Sequence, residues 1–267
     1  MANKSFNNFN MQKKSKTNSG IIDILEKLIR NHPLIYFIAR NFVRHTNIFE
    51  EDANGVAYLN FKDAINIIDV GASDGIAAKF FNRMLNVNKI ICYEPNEIYV
   101  KTLKKLKFNN LIIKPYAIGN TNTYKTIFFP RYNFFFKNFD LIPYTYYDKT
   151  KLLTQIKLDF IFRKNLKIIK KKLRLKKIGK INLKIDLIKI DVNDNGFSVV
   201  KGLSNIINKD KPALLIETDS EIKLIDKKLK NYGYKKFSFS NTKKKFFKIG
   251  KRFPLNTYFL QKKHLVY

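Results

Sequence analysis

The feature that most constrains the fold is a glycine turn that joins an apolar run to a helical pattern. Residues 65–70 (INIIDV) form an apolar, β-branched run, which is typical of a strand buried on both faces in a parallel sheet. The heptapeptide 69–75 (DVGASDG) overlaps its end, and apolar residues then recur at helical spacing from Ile76 to Leu85. In a doubly wound α/β sheet such a turn is the ligand crevice, because its free N–H groups favour a carboxylate or phosphate. The sequence therefore predicts an α/β protein with a ligand site at this turn.

The residues around the turn indicate which ligand it holds. A dinucleotide site needs G-x-G-x-x-G after the strand, whereas this chain has only Gly71 and Gly75 on either side of Ala-Ser-Asp. Glu94 closes the next predicted strand, 89–94, at roughly the 20-residue distance where a carboxylate can bond ribose hydroxyls. The pattern predicts an adenosine-containing cofactor. The alternative is an α/β domain whose glycines only turn the chain.

Two later segments also read as strands that end in acids. The run 186–192 (DLIKIDV) carries Asp191 near its end, and 212–217 (PALLIE) ends in Glu217. The order IIDVGA, YEPN, YAIGN, LIKIDV, VVKGL and PALLIE resembles the FkbM family of S-adenosylmethionine (SAM)-dependent methyltransferases over residues 65–217, with a continuation to the C-terminus. The resemblance implies an α/β fold with a doubly wound, mostly parallel, seven-stranded class I methyltransferase sheet and an N-terminal helical extension.

The resemblance also implies which residues hold SAM. In the family the glycine loop passes the methionine end of the cofactor, and the acid after the second strand binds the ribose. The segment after the third strand, here 116–119 (YAIG), lines the adenine pocket. Ser73 stands where the family usually has a middle glycine. The implied cofactor-binding residues are Asp69, Gly71, Ser73, Gly75, Glu94, Pro95, Asn96 and Ala117.

The chemistry implied by the resemblance is methyl transfer to a hydroxyl. FkbM-like enzymes are mostly O-methyltransferases, often of sugars or natural products in pathways for surface polysaccharides or antibiotics. Asp191 is the first candidate for positioning the acceptor or taking its proton, and Glu217 is the second, because both would face the crevice at the carboxyl edge of the sheet. The alternative for each acid is a helix cap or a partner for a lysine.

One segment departs from the family pattern. The family usually follows this strand with I-D-x-x-G-x-E, whereas residues 191–198 here read DVNDNGFS. Gly196 stands where the glutamate is expected, and Asp194 is a candidate substitute. The departure puts the acid/base assignment in question more than the fold.

The net charge is +31, from 52 basic and 21 acidic residues. Such a charge favours a polyanionic partner, but heavy use of Lys, Asn, Ile, Phe and Tyr is also what an A/T-rich genome encodes. Residues 163–180 hold ten basic residues and no acid, with Leu166, Ile169 and Leu173 near one helical face. We expect a basic amphipathic helix here, which either contacts an anionic membrane surface or packs on the domain by its apolar stripe.

The chain divides into three predicted regions. Residues 1–19 are predicted to be a disordered polar tail, 20–60 an N-terminal helical cap, and 61–267 the methyltransferase domain. Within that domain 131–180 is a basic and aromatic insertion, longer than an ordinary connection. Its tyrosines 144, 146 and 147 either stack on a sugar acceptor or simply cover the sheet.

The few Cys and His residues exclude several classes of chemistry. A single cysteine, Cys92, excludes an internal disulfide and fits a reducing compartment. The three histidines sit in no recognised motif, so we predict no metal site. Because the first twenty residues lack an apolar signal segment, we expect a cytoplasmic protein, with the inner face of the membrane as a peripheral location.

Three functions are weighed. The leading one is SAM-dependent O-methylation of a sugar, glycan or other small metabolite. The second is RNA methylation, which would use the charge, although the chain has no Asn-Pro-Pro-Tyr motif, catalytic Cys pair or appended RNA-binding module, so a nucleic-acid partner is not expected. The third is a non-catalytic binding protein on a degenerate methyltransferase fold, which the altered 193–198 loop suggests.

Overall fold

Two β-sheets organise the chain, and the larger one carries the glycine turn. The structure is a computed structural model that describes residues 32, 33, 35, 38, 50–134, 137–141, 144–160, 163–250 and 253–266. The predicted tail 1–19 lies outside the described residues, as does most of the predicted helical cap 20–60. Within that cap the structure describes a 3-10 helix, Glu51–Tyr58.

The larger sheet has eight strands in the order β11-β10-β12-β9-β8-β1-β2-β3. Its strands are β1 (Ile65–Val70), β2 (Val87–Tyr93), β3 (Leu111–Lys114), β8 (Leu187–Ile190), β9 (Ala213–Glu217), β10 (Lys235–Ser240), β11 (Lys245–Lys248) and β12 (Asn256–Leu260). The pairs from β3 to β9 are parallel, and the pairs from β9 to β11 are antiparallel. The mostly parallel α/β sheet is therefore confirmed.

One more strand is present than the seven predicted. After β10 the chain turns and returns as β11, which pairs with β10 at the edge of the sheet. Phe246 of β11 packs its ring 5.2 Å from that of Phe239 and 5.1 Å from that of Tyr258. This aromatic contact explains why the short, lysine-flanked segment joins the sheet.

Helices cover both faces of the larger sheet. The described α-helices are α1 (Ile76–Met84), α2 (Glu97–Lys104), α3 (Lys149–Asp159), α4 (Gly196–Gly202), α5 (Ser204–Asp210) and α6 (Ile222–Lys230), and all but α3 pack on this sheet. One face packs on α4, α5 and α6, and the other on α1, α2 and the 3-10 helix. Every residue of β1 is buried, as its apolar run predicts. Two short helices, α4 and α5, follow β8 in succession and meet at Leu203.

The smaller sheet consists of strands from the predicted insertion and the segment before it. Its order is β4-β7-β5-β6, with β4 (Ala117–Ile118), β5 (Thr123–Phe134), β6 (Lys137–Asp140) and β7 (Leu166–Lys176). One face packs on α2 through residues such as Ile127 and Leu173, and the other packs on α3. The smaller sheet therefore stands beside the carboxyl edge of the larger one.

The predicted amphipathic helix over 163–180 is wrong. This segment forms β7, which pairs antiparallel with β5 from Leu166 to Leu175. Its burial has the period of a strand: Leu173 and Leu175 are buried, whereas Lys172 and Arg174 are exposed. The apolar spacing of residues 166, 169 and 173 also fits a helix. The long partner strand β5 instead pairs the backbone N–H and C=O groups of this segment through inter-strand hydrogen bonds. Among the described helices, none is long and apolar enough to cross a membrane.

Candidate active site

A cleft of about 260 Å³ opens where β1, β2, β8 and β9 end and the smaller sheet stands against them. Its position at the carboxyl edge of parallel strands is where α/β sheets bind ligands. The cleft is lined by six of the eight predicted cofactor-binding residues: Gly71, Ser73, Glu94, Pro95, Asn96 and Ala117.

The glycine loop depends on backbone that only glycine permits. Gly71 has a φ of +77°, and a Cβ there would collide with the backbone carbonyl oxygen of Asp191. The loop from β1 and the end of β8 therefore touch through Gly71. Ser73 also takes a left-handed conformation, with a φ of 50°. The loop thus presents backbone rather than side chain to the cleft at Gly71.

Glu94 links this loop to the segment after β2. Its Oε2 accepts the Ser73 N–H at 2.8 Å, and its Oε1 accepts the Asn96 N–H at 2.8 Å. Asn96 in turn caps α2, because its Oδ1 accepts the Ile98 N–H at 2.9 Å. Burial raises the pKa of Glu94 to about 7, against the lowering effect of the two backbone hydrogen bonds. A buried carboxyl group is thus fixed in the wall of the cleft, with lone pairs left to accept further hydrogen bonds.

Two of the predicted cofactor-binding residues lie behind the cleft wall. Asp69 is completely buried in β1, and its Oδ1 lies 3.8 Å from the Nζ of Lys189. Gly75 precedes α1 and faces Leu103 and Leu106. Neither is part of the cleft lining, so any effect of these residues on a ligand acts through the loop.

The two predicted catalytic acids come together at the ends of neighbouring strands. Asp191 and Glu217 come directly after the register pair Ile190–Ile216 of β8 and β9, so their carboxyl groups are neighbours. Both line the cleft. Burial and the neighbouring Asp191 raise the pKa of Glu217 to about 9. The Nζ of Lys189 lies 2.8 Å from Asp191 Oδ2.

A family model for the methyltransferase FkbM domain matches residues 69–236, which contain the glycine loop, Glu94 and both acids. The chain belongs to the FkbM methyltransferase family. Residues 69–236 thus form a SAM-dependent methyltransferase domain, and SAM is its cofactor. A search of curated proteins finds no match to the chain.

Several solved structures are similar to this FkbM-family chain. Methyltransferase FkbM from Methylobacillus flagellatus KT is 17% identical, with a TM-score of 0.44 over 76% of this chain and 47% of that one. This chain therefore spans about half the length of that relative. An rRNA methylase from Streptococcus thermophilus is 7% identical (TM-score 0.37; 78% of this chain, 90% of that one). The plantazolicin methyltransferase BpumL, in complex with a triazolic desmethylPZN analog and SAH, is 11% identical (TM-score 0.37; 78% and 64%).

The residues present fit SAM. Gly71 and Ser73 of the glycine loop line the cleft, and Glu94 offers it a buried carboxyl group that can accept hydrogen bonds from ribose hydroxyls. When bound, SAM supplies a methyl group on a positively charged sulfur. Gly71, Ser73, Glu94, Pro95, Asn96 and Ala117 would hold it, and these individual roles remain predictions.

The FkbM-family acid that the sequence lacks is not replaced in the cleft by Asp194. Asp194 is outside the lining: its Oδ2 pairs with the Nζ of Lys151 in α3 at 3.2 Å, and its Oδ1 accepts the Ser220 hydroxyl at 2.8 Å. Its neighbours Asn193 and Asn195 line the cleft instead. The altered loop therefore presents amides to the site and uses its acid to bind α3.

An acid that sequence reasoning missed also lines the cleft. Of the three successive acids 50–52, Glu50 lines the cleft, and neither Glu51 nor Asp52 does. Glu51 is exposed, and Asp52 accepts hydrogen bonds from the backbone and side chain of Asn256. Burial raises the pKa of Glu50. The only sequence signal for an acid here is the run of three acids at 50–52. The orientation of the 3-10 helix determines which of them lines the cleft.

One of the three predicted tyrosines belongs to the cleft. Tyr147 lines it beside Thr145, and the Nζ of Lys125 lies 4.2 Å from the centre of the Tyr147 ring. Burial raises the pKa of Tyr147 to about 12, so it is a neutral hydrogen-bonding phenol. Tyr144 packs on Phe160, and Tyr146 pairs through its backbone with Phe128, so these two belong to the packing around α3.

Proposed function

We propose that the protein transfers a methyl group from SAM to a hydroxyl of a neutral sugar, glycan or similar polyhydroxylated metabolite, as in surface polysaccharide assembly. The observation that carries this proposal is a polar wall of the cleft, next to the glycine loop. That wall consists of the carboxyl groups of Glu50, Asp191 and Glu217 and the amides of Asn193 and Asn195.

This set of side chains matches the chemistry of a sugar. Sugar hydroxyls donate hydrogen bonds to carboxyl oxygens and accept them from amide N–H groups. The ring of Tyr147 adds an apolar surface of the kind on which a sugar face packs. Asp191, next to the acceptor, would take the hydroxyl proton as general base.

The same wall argues against a nucleic-acid acceptor. Three carboxyl groups line the cleft, and the negative charge of Asp191 among them opposes the entry of a phosphate backbone. The net charge of +31 favours a polyanion elsewhere on the surface, not inside this site. A reducing cytoplasm, where we place the reaction, is compatible with the single buried thiol of Cys92.

The proposal is tested by a competition among acceptors. Purified protein is incubated with methyl-labelled SAM and separate pools of free sugars, nucleotide-activated sugars, lipid-linked glycans and mixed RNA, and products are identified by mass spectrometry. We expect label on a hydroxyl of one saccharide pool and none on RNA. Label on RNA would contradict the proposal, as would a protein that binds SAM but methylates none of the saccharide pools.

RNA affinity provides an independent check. In a filter-binding assay with mixed RNA across a salt series, we expect micromolar or weaker affinity at physiological salt, without sequence preference, as diffuse basic charge produces. Tight, sequence-dependent binding that survives physiological salt would support RNA methylation instead.

A further inference from the structure

Lys189 is a buried cation among carboxyl groups, and none of the roles described above uses it. It lies in β8 with a side chain only 4% exposed, although lysine is almost never buried without a partner. Its Nζ reaches Asp191 at 2.8 Å on the cleft side and Asp69 at 3.8 Å on the buried side. Neither oxygen of Asp69 has a hydrogen-bond partner among the described residues, so this ammonium is its charge partner.

The neighbouring carboxyl groups disfavour each other's ionisation. Asp191 and Glu217 come directly after the register pair Ile190–Ile216 on adjacent parallel strands and line the same cleft, so an anion on one favours a proton on the other. Geometry decides which one. The ammonium of Lys189 contacts Asp191, which favours the anion there, whereas Glu217 is half-buried beside that anion and close to Glu50.

We propose that Lys189, held between Asp69 and Asp191, is a positioning residue that keeps Asp191 ionised and Glu217 protonated in the resting site. This inference rests on the proposed methyl transfer to a hydroxyl and assigns a different role in it to each of the two acids. Asp191 is then the group that can take the acceptor proton. Glu217 donates its proton to a hydrogen bond and fixes the orientation of Asp191.

The first test compares two conservative substitutions. Glu217→Gln keeps a hydrogen-bond donor next to Asp191, so we expect kcat to fall by no more than about tenfold, whereas Asp191→Asn removes the base and should cost about 10²–10⁴-fold. If Glu217→Gln is as damaging as Asp191→Asn, or more so, the assignment of protons is overturned.

The second test addresses Lys189 itself through the pH profile of kcat. Lys189→Met removes the charge at similar volume, so the ascending limb should move to higher pH because Asp191 ionises less readily. Asp69→Asn removes a competitor for the same ammonium, so its limb should move to lower pH. SAM affinity should change by less than about twofold in Lys189→Met, because a loss of transition-state stabilisation need not alter cofactor binding. Lower activity with an unchanged ascending limb of the pH profile would show that Lys189 has only a structural role, which would overturn the proposal.

A third measurement needs no acceptor and separates this inference from the proposed function. The charged or titratable groups that face Glu217 are Asp191 and Lys189 of the β8 segment, Glu50, and the hydroxyl of Tyr146. Because Glu217 stays protonated in the folded protein but ionises near pH 4.5 when unfolded, the melting temperature of the wild type relative to Glu217→Gln should fall as pH rises from about 4.5 to 9. A constant difference would overturn the proton assignment. Failure of every saccharide acceptor with this pH dependence intact would count against the proposed function alone.

Discussion

At the scale of single residues, the carboxyl group of Glu94 is the best-defined cofactor contact. Its two oxygens already accept the N–H groups of Ser73 and Asn96, so its position does not depend on a ligand. This residue could be predicted from sequence because the apolar pattern of the strand before it shows where the strand ends, and Glu94 is the acid at that end. Glu50 could not, because three adjacent acids differ only in how a 3-10 helix turns them.

Glu94→Gln should weaken SAM binding by about 10–100-fold, which corresponds to the loss of about 1.5–3 kcal/mol from hydrogen bonds to a charged acceptor. Because the pKa of Glu94 is raised to about 7, the ionised fraction grows between pH 6 and 8, and wild-type affinity should increase over that window. Calorimetric titration with SAM at several pH values measures both effects. A Gln variant with wild-type affinity, or with the same pH dependence, would refute the role.

Asp69 should make stability depend on pH. Burial raises its pKa from 3.8 to about 6, so between these values the folded protein holds a proton that the unfolded chain has lost. The stability of the wild type relative to Asp69→Asn should therefore fall as pH rises from about 4 to 6, by about 3 kcal/mol at 1.36 kcal/mol per pKa unit, and level off above. Thermal melts of the two proteins across this range test the sign, and a rising difference would contradict it.

At the scale of elements, the glycine loop ties β1 to the end of β8. The bounds of β1 (Ile65–Val70) match the prediction from sequence, because a fully buried strand carries its own local pattern. The prediction of a helix over 163–180 is wrong because the strand that pairs with this segment, β5, is distant in sequence and no local pattern reveals the pairing. Local periodicity was ambiguous there, and tertiary pairing decided it.

Gly71→Ala should destabilise the protein and abolish SAM binding. The new methyl group would collide with the backbone carbonyl of Asp191. The positive φ of residue 71 alone costs about 1–3 kcal/mol for a residue other than glycine. Gly179→Ala is the matched control, because nothing lies within 4 Å of a Cβ there. Differential scanning calorimetry should show a lower melting temperature, and no increase when SAM is added, only for Gly71→Ala. The same melting temperatures and the same response to SAM in both variants would contradict the role of the loop.

At the scale of the whole molecule, the two sheets together form the cleft, which no single segment of sequence could show. Residues of the smaller sheet, Ala117, Ile127 and Leu173, line the same cleft as Gly71 and Glu94. From its length and aromatic content, the sequence predicts that the insertion either binds the acceptor or simply covers the sheet. Its outer face carries the exposed side chains of Lys170, Lys172 and Arg174.

We propose that this outer face contacts anionic membranes, as strands rather than as the predicted helix. Replacing Lys170, Lys172 and Arg174 by Gln should weaken binding to phosphatidylserine-containing vesicles by about 1 kcal/mol per charge. Lys223, Lys227 and Lys235, also exposed, provide a control triple of equal charge. Vesicle flotation distinguishes the two. Equal losses would mean that the charge is diffuse, as genome composition alone would make it.

The central claim, that the glycine loop and Glu94 form a SAM site, is tested most directly by calorimetric titration of the full chain with SAM. We expect saturable binding of one SAM per chain, retained in Gly179→Ala and strongly weakened in Glu94→Gln. A folded wild-type protein that releases or absorbs no binding heat with SAM at several temperatures, and whose melting temperature SAM does not raise, would contradict it.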